Sequence, residues 1–341
     1  MLISHGLDGL RSLPPGSVLS IGNYDGIHRG HRALLGVGRE LRARTPGSVL
    51  VVATFEPHPL TVLRPELAPP RLSSPATKQA LLEREGVDRL VILPPTRQVL
   101  DLTAEDFWKV LREEARPAHL VEGDTFSFGK GRGGTIGKMR QWAANSPVRL
   151  HVVPPVAVPL LDLQVVPVSS TLVRWLLDHG RVRDAAICLG RPYALEGPVV
   201  RGFRRGQRLG FPTANLQIGE QLVPLDGVYA GRCTVDGTTY PAAVSIGRLP
   251  TFGPDQPRQI EAYLVGFGGD LYERRLTVEL LDWLREQRKF NSLESLKAHL
   301  GDDVTVTTRL SSLDPSRAIA NGSLNESRPT PSPSSGAQRS S

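Results

Sequence analysis

Apolar runs and helical patterns alternate along the first half of the chain. Four short apolar runs are typical of buried strands, and three segments between them carry apolar residues at helical spacing. The strands are predicted at 17–22, 48–55, 89–94 and 119–123, and the helices at 31–44, 74–86 and 103–116. Ser74 and Thr103 are predicted to cap two of these helices. Strands that alternate with helices predict a parallel sheet with helices on both faces, which binds ligands at the carboxyl ends of its strands.

The pattern changes after a helical segment at 169–190. From about residue 193 to residue 282, short apolar runs are separated by Gly, Pro and Asp, and the Asp-Gly pair at 236–237 is typical of a hairpin turn. Strands at this spacing predict a closed or nearly closed antiparallel barrel. A last helix is predicted at 292–303, with Ser292 as its cap.

These patterns predict an α/β domain followed by an all-β domain. The first, a Rossmann-like domain, covers 1–187, and the second, an antiparallel β-barrel with a terminal helix, covers 188–311. Residues 312–341 are rich in Ser and Pro and lack periodicity, which predicts a disordered tail.

Composition narrows the class of protein. The chain has 341 residues, of which 40% are hydrophobic and 22% charged, as in an ordinary soluble globular protein. Its net charge of +7 suits anionic substrates, but the basic residues are scattered and form no nucleic-acid-binding motif. The two cysteines lack metal-like spacing, the N-terminus does not resemble a secretory signal, and no apolar run is long enough for a spanning helix. We therefore expect a cytoplasmic enzyme without nucleic-acid or membrane partners.

A strand, a glycine-rich bend and a helix start meet in the sequence IGNYDGIHRGH at 21–31. The free N–H groups and the dipole of a helix start favour an anion, and the glycines leave room for a phosphate near the backbone. His28 and His31 add N–H donors on neighbouring turns, which suits the charge that develops during nucleotidyl transfer. The spacing alone leaves three alternatives open: phosphate binding, a metal site that lacks an evident third ligand, or incidental surface histidines.

The same string resembles the opening motif of the FAD synthetase module in bacterial bifunctional riboflavin kinase/FMN adenylyltransferases, which is one of the HxGH nucleotidyltransferases. The resemblance continues in FEPHPL (55–60), EGDTFSFGKGRGG (122–134) and VSSTLVR (168–174). It implies that His28 and His31 bind the phosphates of ATP during catalysis.

Further site residues are implied by this resemblance. The implied nucleotide-binding residues are Gly22, Asn23, Asp25, Gly30, Ser169, Ser170, Thr171 and Arg174. The implied flavin-binding residues are Asp124, Thr125 and Phe126. Thr125 stands where the family usually has Asp or Asn, so we expect a weakened or rearranged contact there. Helix capping is the alternative role for the hydroxyl residues at 169–171.

A second motif, RGFRRGQRLGFPTANL at 201–216, combines arginines and glycines with the sequence PTAN. Thr213 and Asn215 are two residues apart and would share one face of a strand, so both oxygens could face one Mg²⁺–ATP. The alternative is a solvated charged face.

This second motif resembles the riboflavin kinase signature GxPTAN, and residues 260–290 resemble the C-terminal region of that family. The resemblance implies a small antiparallel barrel in which Gly210 and Pro212 bind the nucleotide and Thr213 and Asn215 hold Mg²⁺.

Two more residues of the second half are implied by the resemblance. Glu261 aligns with the family's catalytic glutamate, a general base for the 5′-hydroxyl of riboflavin, and Arg285 with a flavin contact. A solvent-facing strand carboxylate is the alternative for Glu261. Ser245, Leu249 and Glu273 depart from the family pattern, so we expect flavin affinity or loop closure to differ.

The expected function is flavin cofactor biosynthesis in two steps. Riboflavin and ATP would give FMN and ADP, and FMN and ATP would then give FAD and pyrophosphate, with Mg²⁺ in both steps. The alternatives are a chain with only one active half, a flavin-binding sensor without chemistry, and a nucleic-acid binder. The sequence leaves open whether the chain forms a homo-oligomer.

Overall fold

A computed structural model describes residues 1–201, 210–248, 258–288 and 290–312. The N-terminal strands are β1 (Leu2–His5), β2 (Val18–Gly22), β3 (Leu50–Phe55), β4 (Arg89–Leu93), β5 (His119–Gly123), β6 (Ser127–Phe128), β7 (Gly134–Thr135), β8 (Arg149–Val153), β9 (Ala157–Pro159) and β10 (Val165–Pro167). Within the described residues, six of them form one sheet in the order β1-β4-β3-β2-β5-β8. Every neighbouring pair in this sheet is parallel.

Helices cover both faces of this sheet. They are α1 (Gly6–Arg11), α2 (Arg29–Arg44), α3 (Leu60–Leu63), α4 (Pro75–Arg84), α5 (Arg97–Leu100), α6 (Ala104–Lys109) and α7 (Ile136–Ala144). Alternate residues of β3 belong to two separate cores, with Val51 and Ala53 in one and Leu50 and Val52 in the other. The predicted parallel sheet with helices on both faces is thus confirmed.

Both predicted helix caps are present. The Oγ of Ser74 accepts the N–H of Thr77 at 3.1 Å, and the Oγ1 of Thr103 accepts the N–H of Asp106 at 3.0 Å. Each bond satisfies a donor that the first helical turn cannot pair internally. The second of these helices continues as a π-helical segment, Val110–Ala115.

The sequence pattern did not predict α1 or the two edge strands, β1 and β8. β1 is four residues long, and its apolar residues Leu2 and Ile3 are exposed. An edge strand pairs on one side only, so it need not carry the continuous apolar run that marks a buried parallel strand.

The predicted helical segment 169–190 consists of two helices, α8 (Ser170–Asp178) and α9 (Val182–Leu189). Gly180 lies between them with a φ of +70°. This left-handed conformation ends a helix and is open to glycine without steric cost, so the chain turns here.

The described C-terminal part contains a closed antiparallel barrel. Its strands are β11 (Tyr193–Val200), β12 (Ala214–Leu216), β13 (Gly227–Val235), β14 (Thr238–Gly247), β15 (Gln259–Leu264) and β16 (Arg275–Arg285). Around the barrel their order is β11-β12-β15-β14-β13-β16. The β13–β14 hairpin turns at Asp236 and Gly237, whose φ angles of +50° and +81° suit the type I′ turn. The predicted barrel and its Asp-Gly hairpin are thus confirmed.

A terminal helix, α10 (Leu293–Ser312), packs against the barrel. Ser292 caps it as predicted, because its Oγ accepts the N–H of Ser295 at 3.1 Å. The prediction ended this helix at residue 303, which is too early. Asp303 is buried and bonded to Arg285, so this acidic residue anchors the helix to the barrel instead of ending it.

Ser312, predicted as the first residue of the tail, is the last residue of α10. The rest of the predicted tail, 313–341, lies outside the described residues, as does Leu249.

The two halves of the chain share one hydrophobic core where they meet. Leu176 of α8 and Cys188 of α9 belong to the same buried cluster as Leu195 and Val278 of the barrel. Polar groups also cross the junction, since the side-chain amide of Gln221 donates to carbonyl oxygens of both halves. The predicted domain boundary, between residues 187 and 188, falls within α9.

We expect Leu176→Ala to destabilise the chain strongly. Leu176 is fully buried in the shared core, and truncating such a leucine lowers the free energy of unfolding by about 2–5 kcal/mol. Trp175→Ala, at the adjacent exposed position, is the matched control and should cost about 0.5 kcal/mol. Urea unfolding followed by circular dichroism measures both changes, and equal losses would contradict this account of the junction.

Candidate active sites

The motif histidines lie where the strand order of the parallel sheet reverses. β3 and β4 lie on one side of β2, whereas β5 and β8 lie on the other. Ligands of open parallel sheets bind outside the carboxyl ends of the strands at such a point. His28 is the N-cap residue of α2, directly after the loop that follows β2. The fold therefore places both histidines at its ordinary ligand site.

His28 and His31 form a stacked pair. Their ring centroids are 3.7 Å apart with 16° between the ring planes, and the Nδ1 of His28 accepts the N–H of His31 at 3.3 Å. The Nδ1 of His31 is buried and has no hydrogen-bond partner in the described part of the chain. One buried polar atom is thus left for a ligand or a water molecule to satisfy.

Both histidines are held in the neutral form. Burial, Arg191 and Arg174 lower the pKa of His28 to about 4. Burial, His28, Lys78 and Arg191 lower the pKa of His31 well below its ordinary value. At neutral pH each ring therefore offers one N–H donor, and the positive charge of the site comes from lysine and arginine.

A cavity of about 230 Å³ lies beside the histidine loop. Three predicted residues line it: Asn23, Asp25 and Arg174. Five charged or titratable residues that were not predicted also line it: Glu56, His58, Arg71, Lys78 and Glu220. His58 had a signal in the sequence, because it follows the end of β3 at the ligand-binding edge, but Lys78 and Arg71 arrive from a helix and a loop without a local motif.

Two cations of this cavity, Lys78 and Arg71, share the carboxylate of Glu56. The Nζ of Lys78 lies 2.9 Å from Glu56 and 3.2 Å from the carbonyl oxygen of Asn23. Arg71 bonds the other oxygen of Glu56 and lies 2.8 Å from Glu220, which belongs to the barrel half. Burial raises the pKa of Glu56, but the bonds from Lys78 and Arg71 outweigh burial and lower it. The cavity therefore holds fixed charges of both signs, and an anionic ligand would compete with Glu56 for the two cations.

Asp25 and Arg174 hold the loop that borders this cavity. The Asp25 carboxylate accepts the N–H of Leu72 at 3.0 and 3.1 Å and the N–H of Ser73 at 3.3 Å. Arg174 pairs with the same carboxylate and donates to the carbonyl oxygen of Pro70 at 2.8 Å. These two predicted nucleotide-binding residues therefore also shape the wall of the site.

The predicted hydroxyl residues form the start of α8. Ser169 accepts the N–H of Leu172 at 3.1 Å, as a helix cap does. Ser170 donates to the carbonyl oxygen of Asp25 at 2.9 Å, and Thr171 is exposed. The helix start is therefore fastened to the histidine loop.

Gly22 and Gly30 occupy crowded positions. A Cβ on Gly30 would lie 3.1 Å from the ring of His28, and a Cβ on Gly22 would lie 3.3 Å from the ring of Tyr24. The absence of a side chain at residue 30 thus lets the His28 ring take its stacked position.

The three predicted flavin-binding residues follow β5 at the same edge of the sheet. Asp124 and Thr125 are exposed, and Phe126 stacks on Phe128 with ring centroids 5.6 Å apart and 18° between the planes. An exposed polar pair beside a stacked aromatic pair can bind a flat ring with a polar edge.

The second candidate site is a cavity of about 570 Å³ between the outer face of the barrel and α10. Thr213, Glu261 and Arg285 line it, as do the aromatic rings of Phe211, Tyr263 and Phe290. A cavity of this size and lining is typical of a site for a small organic ligand.

Thr213, Asn215 and Glu261 share the outer face of the barrel. Thr213 and Asn215 are half-buried on either side of the buried Ala214, and Glu261 is directly opposite Asn215 in the antiparallel pair. Directly opposite residues have Cβ atoms roughly 5 Å apart, so the hydroxyl, amide and carboxylate are close neighbours. Gly210, which has a φ of +87°, and Pro212 precede Thr213 in the chain.

Arg285 bonds to the terminal helix. Its guanidinium donates to both carboxylate oxygens of Asp303, at 2.8 and 3.1 Å, and lies over the ring of Phe290 at 5.5 Å. This predicted flavin-binding residue therefore joins β16 to α10 at the cavity wall.

Two departures from the family pattern lie in described residues of the barrel half. Ser245 is opposite Glu261 in the barrel, and its hydroxyl accepts the side-chain amide N–H of Gln287 at 2.8 Å. Glu273 has a φ of +62°, a left-handed conformation in which glycine is less strained. Ser245 thus engages a residue at the cavity rim.

Two features of other classes of protein, a membrane-spanning helix and a cluster of metal ligands, are absent from the described residues. None of the described helices has both the length and the hydropathy needed to cross a membrane. The same residues contain no group of three His, Cys, Asp or Glu side chains placed to hold a metal ion.

Comparison with protein families assigns each half separately. The FAD synthetase family model matches residues 10–171, and the riboflavin kinase family model matches residues 189–311. Together these matches cover most of the chain, in the order that the motifs indicate.

Relatives match both halves in one chain. The bifunctional riboflavin kinase/FMN adenylyltransferase of Pseudomonas fluorescens is 38% identical over 311 residues, which cover 91% of this chain and 98% of that protein. The enzyme of the same name from Escherichia coli K12 is 35% identical over 306 residues, covering 89% and 96%. The crystal structure of a protein described as a macrolide-efflux protein from Streptococcus pneumoniae is 30% identical, with a TM-score of 0.80, and covers 90% of this chain and 99% of that one. The chain therefore belongs to the bifunctional riboflavin kinase/FMN adenylyltransferase family, whose two activities convert riboflavin to FMN and FMN to FAD.

Proposed function

We propose that riboflavin is phosphorylated in the barrel cavity and that the FMN so formed is adenylylated at the edge of the parallel sheet. One observation carries this assignment of reactions to sites: predicted residues of each half line a cavity of their own, Asn23, Asp25 and Arg174 in the first and Thr213, Glu261 and Arg285 in the second. None of the described residues lines both cavities, so the two reactions would use separate side chains.

In adenylyl transfer, an oxygen of the FMN phosphate attacks the α-phosphorus of ATP, and the bond to pyrophosphate breaks. The N–H donors of His28 and His31, together with the start of α2, stabilise the negative charge on the reacting phosphates. Gly22 and Gly30 leave room for the rings of Tyr24 and His28, and Lys78 supplies a cation. Because the donors are in place before ATP arrives, little reorganisation is needed.

The remaining residues of this site bind the substrates or shape the wall of the cavity. Asn23 and the hydroxyls of Ser169, Ser170 and Thr171 complete the nucleotide site, with Asp25 and Arg174 holding its wall. Asp124, Thr125 and Phe126 contact the flavin of FMN from the end of β5. The exposed Thr125 offers a hydroxyl where the family usually offers a carboxylate or amide.

In the kinase reaction, the 5′-oxygen of riboflavin attacks the γ-phosphorus of ATP, ADP leaves, and Glu261 accepts the hydroxyl proton. A positioned general base of this kind contributes roughly 10²–10⁴-fold to the rate. The aromatic rings of the cavity suit the flat flavin, Gly210 and Pro212 lie beside the nucleotide, and Arg285 closes the wall.

Thr213 and Asn215 fit a magnesium site by the chemistry and placement of their oxygens. Both are neutral oxygen donors on one half-buried face, next to the proposed base Glu261. Magnesium prefers oxygen ligands and usually keeps waters and substrate phosphates in its shell, so two protein oxygens are sufficient. When bound, the ion neutralises charge on the phosphates of ATP.

We also propose that the chain works in the cytoplasm, where ATP is available, on small molecules alone. Its net charge of +7 would then serve phosphorylated substrates rather than a nucleic acid or a membrane surface. A homo-oligomer would be compatible with two self-contained cavities.

Single substitutions should separate the two activities. We expect Glu261→Gln to lower riboflavin phosphorylation roughly 10²–10⁴-fold while added FMN is still converted to FAD, because only the kinase site loses its base. His28→Ala should stop the reaction at FMN. Chromatography of timed incubations with riboflavin or FMN, ATP and Mg²⁺ measures both. Loss of both activities in either variant, or of the wrong one, would contradict the assignment of sites.

Gly30→Ala should impair FAD formation selectively. The new methyl group would lie 3.1 Å from the His28 ring, so the ring would have to shift by a few tenths of an ångström against His31. Gly36→Ala is the matched control on the same helix, because a Cβ there meets only the end of Arg39 at 3.9 Å. We expect the FMN adenylylation rate to fall at least roughly tenfold in Gly30→Ala but not in Gly36→Ala, since reacting groups tolerate little misplacement. Equal rates in the two variants would show that the His28 position is not critical.

A further inference from the structure

Arg191 belongs to one half of the chain by sequence and to the other by contact. It lies within the riboflavin kinase match and two residues before β11. Its guanidinium nevertheless reaches the histidine loop of the N-terminal half, where it donates to the carbonyl oxygen of Gly26 at 2.6 Å and to that of Ile27 at 3.1 Å. One side chain thus bridges two consecutive carbonyl groups directly before His28.

The two bridged residues have an unusual backbone. Gly26 and Ile27 have φ angles of +81° and +40°, and Tyr24 in the same loop has a φ of +46°. A left-handed conformation is a genuine outlier for a β-branched residue such as isoleucine. Such a conformation persists only where its surroundings hold it in place.

Packing alone does not account for the shape of this loop. Ile27 is buried, and a Cβ on Gly26 would lie 2.9 Å from Leu72 and 3.4 Å from Leu189. These contacts restrict the volume that the loop occupies, but apolar contacts do not fix the direction of a peptide plane. The two hydrogen bonds from Arg191 do so, because a guanidinium presents its donors in a rigid fork.

We propose that Arg191 is a positioning residue for adenylyl transfer: it fixes the peptide planes of Gly26 and Ile27 and thereby sets where His28 and the start of α2 meet ATP. In a trans peptide the C=O and N–H groups point in opposite directions. With both carbonyls turned towards Arg191, the N–H groups of Ile27 and His28 face away from it. This role rests on the proposed function of His28.

The positive charge of Arg191 also acts on the two histidines of this site. Together with burial and Arg174 it lowers the pKa of His28, and together with burial, His28 and Lys78 it lowers the pKa of His31. The guanidinium therefore supports both the shape of the loop and the neutral state of the two rings.

The test uses the full chain, in which the kinase reaction is an internal control. Arg191→Gln removes the charge and the fork, Arg191→Lys keeps the charge and several donors, and Arg183→Gln is the matched control. Arg183 lies on α9 and pairs with Asp282 of the barrel at 3.7 Å, away from the histidine loop. For each variant, kcat and KM are measured with FMN and ATP, and separately with riboflavin and ATP.

We expect Arg191→Gln to lower kcat for FAD formation roughly 10–100-fold, as a misplaced reacting group does, with riboflavin phosphorylation within about twofold of the unmodified chain. The kcat of Arg191→Lys for FAD formation should lie between those of Arg191→Gln and the unmodified chain. Arg183→Gln should leave both reactions unchanged. A parallel fall of both activities in Arg191→Gln, or no fall in FAD formation, would overturn the inference. If the unmodified chain itself converts no FMN to FAD, the proposed function fails as well, which separates the two results.

Discussion

The buried carboxylate of Asp25 joins three separate parts of the chain, and the geometry of the N-terminal site depends on it. It accepts backbone N–H groups of Leu72 and Ser73 and pairs with Arg174 of α8. The backbone carbonyl oxygen of Asp25 accepts a hydrogen bond from the hydroxyl of Ser170. Removing one partner of a buried ion pair typically costs about 3–5 kcal/mol, because the other charge is left without compensation. The loop, the strap at 70–73 and the helix start are therefore held as one unit.

The strap at 70–73 extends this constraint to the barrel. Arg71 forms an isolated parallel bridge with Gln221 and bonds Glu220, while its guanidinium also reaches Glu56 in the first cavity. Glu220 lies only a few residues after Asn215, which faces Glu261 in the second site. The strap therefore ties the wall of the first cavity to the barrel half, although the two cavities share none of the described residues.

Local patterns predict well where one physical requirement decides the conformation. The buried strands, the Ser74 and Thr103 caps and the Asp-Gly hairpin each satisfy such a requirement within a few residues, and all are present. Edge strand β1 lacks the apolar run, and the end of α10 depends on the distant pair between Asp303 and Arg285, so neither could be predicted locally.

The candidate sites show the same division. The motif places His28 and His31 correctly at the ligand-binding edge, because a strand, a bend and a helix start are local features. It does not reveal that both rings are neutral, since that follows from burial and from arginines more than 140 residues away in the chain, such as Arg174. Lys78 was missed for the same reason.

A motif also does not distinguish a residue that touches the ligand from one that shapes the site. Asp25 is part of the motif predicted to bind the nucleotide, yet its oxygens already accept several protein donors. Arg285 likewise has both carboxylate oxygens of Asp303 as partners. Residues that contact the ligand lie next to residues that hold them in place. Loss of one hydrogen bond from such a positioning residue therefore displaces the neighbouring ligand contact. The chemistry of each half of this chain therefore depends on side chains whose partners are the protein itself.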